Sequence, residues 1–402
     1  MKVLVINCGS SSFKYQLLDM EKEAVLCSGL AERIGQGKGA LTHKKHNAAG
    51  DVEKLAIEEP FPTHTEALKK TLDLMIDSKW GVIKSIEEIG AIGHRVVMGG
   101  ELIKEACVLD DKAIGVIQQL SPLAPLHNPA NLQGVAVAKQ LCPHAPSVGV
   151  FDTEFHATMP AKAYRYAVPT EYYTELGVRR YGFHGTSHKY VTRQAAEFLG
   201  KPVSEVNLIT CHLGNGCSLT AVKGGKSVDT TMGMTPLAGV IMGTRCGDID
   251  PAIVSFLVEQ KKISAAEVDN ILNKKSGLFA LCGTNDMRDI HANREKGDKN
   301  AQLAFEMFCY SIKRSIGALW AVVGNVDAIV FTAGIGENDN FARIQCLEGL
   351  ESWGVKVDPE LNKVRSSDVR SISQAGTKIP VLVIPTNEEL EIARTTLQVL
   401  GK

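Results

Sequence analysis

The chain has 402 residues, 44% hydrophobic and 22% charged, with 44 Lys+Arg against 45 Asp+Glu and a formal net charge of −1. That length suits two domains and that composition a water-soluble globular protein, while the charge balance excludes a broad nucleic-acid or anionic-membrane surface, either of which needs a basic excess. The ten cysteines contain no CxxC pair and no Cys/His cluster at zinc spacing, so most read as small core residues in a reducing compartment. No run of about 18 apolar residues and no secretory leader is visible, so no membrane span is expected and a cytoplasmic location is.

The first predicted element is the strand VLVI (3–6), followed by GSSSFKY. Strand alternation puts Ser10, Ser12 and Lys14 on one face and Phe13, Tyr15 and Leu17 on the other. Gly9 permits a tight turn whose N–H groups can point at an anion, and the hydroxyls with the ammonium complete a phosphate cradle. A surface hairpin with polar tips is the alternative. Next, EALKKTLDLMI (66–76) predicts an amphipathic helix and IGAIGHRVV (89–97) a strand entering a loop. PANLQGVAVAKQL (129–141) predicts a helix with Pro129 at its first position and Asn128 as its cap. SVGVFD (147–152) reads as a buried strand ending in an acid.

LITCHLG (208–214) predicts another strand, residues 305–324 a long helix, DAIVFTAGIGEN (327–338) a strand into a glycine loop, and VLVIPTNEELEIAR (381–394) a strand and a final helix returning to the first domain. Thr386 and Glu389 have capping-box spacing, which leaves Glu388 without a structural explanation except complementing the helix dipole. Strands alternating with helices mean α/β layers.

An internal repeat organises these elements. INCGSSSFKYQLL laid over CHLGNGCSLTAVK puts Gly9 on Gly214, and AIGHRVVMGG laid over AIVFTAGIGE again runs a strand into a glycine loop. Each half therefore carries a hairpin and a later strand-to-loop segment. Rival motifs fail. GGKS (224–227) lacks the first glycine of a P-loop, GQGKGA (35–40) leads into LTHKKHN rather than an apolar helix, and HGTSH (184–188) lacks the glutamate of a zinc-protease helix.

NCGSSSFK, GHRVV, PLHNPAN, FDTEFH, RRYGFHGTSH, CHLGNG, DTTMGMTPL, GTRCGDIDP, TAGIGEN and PTNEE occur in the order found in the acetokinase family, which the chain resembles over residues 3–394. That resemblance implies two duplicated ribonuclease-H-like (actin-like ATPase) domains with a cleft between them, residues 1–152 plus 386–402 forming the first and 153–385 the second, the latter carrying nucleotide binding and dimerisation. It implies reversible phosphoryl transfer from ATP to acetate or another short carboxylate, with Mg2+ or Mn2+, in a homodimer that takes neither nucleic acid nor membrane as a partner.

By the same resemblance Arg95 and Arg245 hold carboxylate and phosphoryl group, His184 and Asn215 are transition-state donors, Asp152 is an essential acid, and His127 belongs to the same set. Ser10, Ser12 and Lys14 surround phosphates. His212, Leu213, Gly214, Asn215 and Gly216, then Asp286, Met287 and Arg288, then Gly334, Ile335, Gly336, Glu337 and Asn338 form the nucleotide loops. Asn7 and Glu388 attend the metal. Val97, Leu126, Phe183 and Pro236 surround the substrate methyl.

Plainer roles stand beside these. Arg95 or Arg245 could be a structural ion-pair residue, with Asp248 and Asp250 available to Arg245; His127 could cap the next helix, and Asp152 could be a buried strand-end acid. The chain departs from the family pattern at Met98, Glu154, Ala157, Cys8 and Cys246, and in a shortened loop at 282–285 that bears on nucleotide preference.

Overall fold

A computed structural model describes residues 1–47 and 51–402. The chain forms two compact units, Met1–Glu154 with Asn387–Lys402, and Phe155–Thr386.

Unit 1 is built on an eight-stranded sheet of β1 (Lys2–Cys8), β2 (Ser12–Asp19), β3 (Ala24–Glu32), β4 (Gly39–His46), β5 (Val52–Glu59), β6 (Ile89–Val96), β7 (Cys107–Val108) and β8 (Ser147–Phe151), in the order β5-β4-β3-β2-β1-β6-β8-β7. β1 pairs antiparallel with β2 and parallel with β6, which pairs parallel with β8. Central β1 is covered on both sides, so Val3 to Ile6 form a continuous apolar run. β2 alternates instead: Phe13, Tyr15 and Leu17 are buried, Ser12 is half-buried and Lys14 is exposed. Ser10 precedes the strand, so the expected alternation starts at Ser12. GQGKGA is the turn feeding β4, which is why no dinucleotide helix follows it.

Helices α1 (His64–Met75), opened by a Thr63/Glu66 capping box, α2 (Asp111–Gln119) and α3 (Asn128–Leu141) pack on this sheet or its loops. The C-terminal helix Glu388–Val399 lies against β6, β1 and β8. Gly93 makes that approach possible, because a Cβ there would fall 2.6 Å from Thr396 Oγ1 and 2.7 Å from Ile392 Cγ2. Gly134 does the same for α3, where a Cβ would fall 2.7 Å from Cys8 Cβ. Burial pushes the Cys8 thiol up to about 12, so it is an inert packing residue.

Unit 2 repeats the central pattern. Its six strands are β9 (Leu208–Leu213), β10 (Cys217–Lys223), β11 (Lys226–Thr230), β12 (Ala328–Thr332), β13 (Arg370–Ser371) and β14 (Val381–Val383), ordered β11-β10-β9-β12-β14-β13. β9–β10 is the counterpart of hairpin β1–β2, and β12 runs parallel to β9 as β6 does to β1. GGKS proves to be the tight turn of hairpin β10–β11, with Gly224 and Gly225 both at positive φ. The long helix Lys299–Val323 supports this sheet with Phe305, Phe308, Ile312 and Ile316.

His94 of β6 is 2% exposed, with Nε2 3.2 Å from Ser147 Oγ. Burial lowers its pKa from 6.5 to about 3. The unfolded chain therefore takes up that proton first, so the stability contribution is intact above pH 6.5 and lost progressively as pH falls toward 3. Urea unfolding below pH 6.5 is expected to lose up to about 1.4 kcal/mol per pH unit from this residue. His94→Gln should flatten that slope, and an unchanged slope would remove His94 from the acid limb.

Candidate active site

In unit 1, β6 delivers Arg95 and β8 ends immediately before Asp152. Arg95 Nε donates to Asp152 Oδ1 at 2.8 Å and Nη2 to Oδ2 at 2.7 Å, a two-pronged pair with Asp152 only 1% exposed. Asn7, Lys14, Arg95, Glu388 and Glu389 line a cavity of about 110 Å³ with Val5 and Ile392. Asn7 and Lys14 face each other across the β1–β2 pairing. Glu388 arrives on the first turn of the C-terminal helix, which is capped by Asn387, whose side chain accepts from Leu390 N at 3.0 Å. The expected Thr386/Glu389 capping box is therefore absent. Thr386 instead gives its N–H to Glu337 Oε1 and shares a hydrogen bond with Ser187 Oγ.

Charges in this cavity interact strongly. Burial works against the Arg95 charge, but Asp152 above all, then Glu388 and Glu389, outweigh it and hold the guanidinium protonated more firmly than usual. Burial pushes the Glu388 carboxyl up to about 7, Arg95 pulls against that, and Asp152 and Glu389 add repulsion. Carboxylate and amide oxygens in an under-neutralised cavity suit a hard divalent cation. Among the described residues no group of three His, Cys, Asp or Glu forms a metal cage; Mg2+ uses only one or two carboxylates and keeps several waters.

The first turn of α3 fixes both flanking loops. Asn128 was expected as the helix cap. It is instead the first helical residue, its Oδ1 accepting from Met98 N and its Nδ2 donating to Met98 O, both at 3.1 Å. Asn131 Nδ2 donates to Cys8 O at 2.8 Å while its Oδ1 accepts from Val97 N at 3.1 Å, tying the glycine–serine loop to the strand end behind Arg95. His127 stands at the N-cap without a capping hydrogen bond from its side chain. Val97 is buried, whereas Leu126 is 65% exposed.

In unit 2, loop 214–216 between β9 and β10 forms the base of a second cluster. A Cβ on Gly216 would lie 3.3 Å from Arg245 Nη1 and 3.4 Å from His184 Nε2, so guanidinium and imidazole converge above this glycine. Neither Asp248 nor Asp250 pairs with Arg245: Asp248 Oδ1 accepts from Gly239 N and Asp250 Oδ1 from Ala252 N. Arg245 Nη1 donates to Pro236 O at 3.2 Å and approaches Met242 Sδ at 3.8 Å. Burial pulls its pKa below the usual guanidinium value. His184 holds left-handed backbone, φ 58°, at the start of helix Gly185–Phe198, and its ring stacks on His212 at 4.2 Å. Phe183, beside it, is 2% exposed. Asn215 Oδ1 accepts from Asn285 Nδ2 at 2.9 Å, which leaves the Asn215 amide hydrogens as the donors. The shortened 282–285 loop thus reaches the cluster directly.

Alongside lies a cavity of about 670 Å³, lined by Gly214, Asn215, Asp286, Met287, Arg288, Gly334, Ile335 and Asn338, all from loops singled out in the sequence. His212, Gly216, Leu213, Gly336 and Glu337 do not line it; the last three have other partners. Leu213 is fully buried; Gly336 O accepts from Arg343 Nη1; Glu337 Oε1 accepts from Ala333 N and Thr386 N. These three hold the loops and do not face the cavity. His291, Asp339, Asn340, Phe341 and Arg365 line it too and went unread. The first four adjoin recognised motifs, but Arg365 has no local signal at all.

A sequence profile described as the acetokinase family matches residues 2–394. The chain belongs to the acetokinase family. It is 62% identical over 400 residues to an acetate kinase of Nitratidesulfovibrio vulgaris and 51% identical over 403 residues to one from Dictyoglomus turgidum, covering 100% and 98% of those proteins and all of this chain. The crystal structure of Porphyromonas gingivalis acetate kinase superposes with a TM-score of 0.94 at 44% identity, covering 99% of both chains. A Francisella tularensis propionate kinase superposes at 0.91 with 39% identity, also over 99% of both.

In metal-free protein a carbon-13 carboxyl signal from Glu388 is expected to titrate near pH 7. Arg95→Gln should raise that midpoint by removing the cation that most lowers it. A midpoint near 4.5 in the native chain would contradict the charge balance described.

Proposed function

We propose that the chain catalyses reversible phosphorylation of acetate by ATP, giving acetyl phosphate and ADP by direct in-line transfer. The observation carrying this reading is the Arg245 guanidinium beside His184 above Gly216, a cation with no carboxylate among the described residues of its unit, adjoining a cavity large enough for a nucleotide.

Acetate is ionised at neutral pH, so no general base has to create the nucleophile. The obstacle is repulsion between two anions, with charge spreading onto the equatorial oxygens at the transition state. Fixed cations and donors therefore account for most of the catalysis. Arg245, His184 and the Asn215 amide bind the migrating phosphoryl group, and Arg95 binds acetate or phosphate with the face its Asp152 pair leaves open. Asp152 acts through Arg95, orienting it, and takes no proton. Val97, Phe183, Pro236 and exposed Leu126 are proposed to surround the methyl group.

Ser10, Ser12 and Lys14 are proposed to cradle phosphates, and His127 to complete the set. Asn7 and Glu388 would hold Mg2+ or Mn2+, whose contribution when bound is to neutralise polyphosphate charge. Leu303, Met307 and Tyr310, exposed at i, i+4 and i+7 of one helix, support a homodimer through unit 2. No helix among the described residues is long and apolar enough to cross a membrane. Free cysteines suit a reducing cytoplasm.

Hydroxylamine trapping should yield a hydroxamate only when ATP, a divalent metal and a short carboxylate are all present. Acetate should outrank propionate, and a methylene alters discrimination by only about 1–3 kcal/mol. Arg245→Ala should lower kcat about 100-fold or more. A change confined to KM, or ATP hydrolysis without hydroxamate, would contradict the assignment.

A further inference from the structure

A histidine donates a hydrogen bond to an anion only if its proton sits on the nitrogen facing that anion. His184 brings Nε2 to 3.4 Å from the position a Gly216 Cβ would take, where Arg245 Nη1 also comes within 3.3 Å, and places Nδ1 2.9 Å from Ser218 Oγ. Ser218 Oγ is also 2.8 Å from His188 Nε2, and His188 Nδ1 is 2.7 Å from Thr210 Oγ1. Ser218, His188 and Thr210 are each 0% exposed.

The direction of this chain follows from counting hydrogens. Among the described residues the Thr210 hydroxyl has one partner, His188 Nδ1. A buried hydroxyl hydrogen left unmade is costly, so Thr210 donates. His188 Nδ1 is then an acceptor. Burial holds His188 neutral, its pKa well below the usual value, so its single ring proton lies on Nε2 and is donated to Ser218. The Ser218 hydrogen has one acceptor left, His184 Nδ1.

We propose that Ser218 is a positioning residue: directed by Thr210 and His188, its hydroxyl donates to His184 Nδ1 and keeps the His184 proton on Nε2, facing the anion site beside Arg245. His156 steadies the same turn, since its Nε2 donates to Phe183 O at 3.0 Å. Because its catalytic consequence rests on the phosphoryl-transfer reading, the decisive readout is independent of turnover.

Long-range nitrogen-15 to proton correlation spectra of the full chain labelled at histidine, with His184 assigned from His184→Asn, should show the Nε2–H form in the native protein. Ser218→Ala should give a mixture of both forms, with kcat reduced about 10–100-fold and KM for ATP and acetate within about twofold, while Ser218→Thr restores both spectrum and kcat. A His184 proton on Nδ1 in the native chain overturns the proposal even if neither Ser218 variant folds; so does a Ser218→Ala protein with unchanged tautomer and kcat. A native Nε2–H form in a chain that yields no hydroxamate supports the proposal and rejects the proposed reaction instead.

Discussion

A guanidinium held half-buried with no carboxylate beside it among the described residues of its unit is the constraint around which unit 2 is organised. Withdrawing a charge from water without a partner costs several kcal/mol unless something else satisfies it. Arg245 has a carbonyl and a thioether for company, and the surroundings keep it there. Met242 N donates to Arg245 O, Ser276 N to Thr244 O, and Cys246 N to Leu272 O. Gly277, at φ 62°, lets the following helix approach so closely that a Cβ would strike Met242 O at 2.2 Å. Backbone clamped this thoroughly leaves the side chain few alternatives.

Unit 1 solves a different problem with the same residue type. Arg95 is locked to Asp152 in a two-pronged pair, and burial, with repulsion from Asp152 and Glu389, raises the Glu388 carboxyl beside it. The first arginine is thus fixed by its carboxylate and firmly charged; the second has none among the described residues of its unit, which is why we propose it as the anion's partner. In each unit the groups come from the hairpin loop and from segments far along the chain, brought together by small residues at packing points. Gly93 admits the helix carrying Glu388, and Gly243 leaves room for Asn215, whose Oδ1 would lie 2.1 Å from a Cβ there.

Much of this was readable before any coordinates. Alternation in Ser12 to Leu17 fixed which face of β2 is polar, and the overlay of Gly9 on Gly214 anticipated matching hairpins each followed by a parallel strand. Ordered motifs named most residues that line the larger cavity. What escaped depends on contacts remote in sequence. Asn128 looks like a cap because helix starts favour asparagine, yet its amide fits the backbone of Met98 thirty residues earlier. Thr386 has the right spacing for a capping box, but Asn387 takes the position and Glu337 claims the Thr386 N–H. Glu337 itself belongs to a nucleotide-loop motif and serves to brace that loop. Strands β3 to β5, which extend the sheet outward from β2, mix polar and apolar residues and were not among the elements read from the sequence.

The most direct test of an arginine kept unpaired for function is the stability of Arg245→Met, which preserves much of the volume and removes the charge. A residue retained for an absent anion should cost the ligand-free fold, so this variant is expected to unfold at a higher temperature than the native chain while losing turnover. A clearly lower unfolding temperature with activity retained would make Arg245 a structural residue and contradict the account.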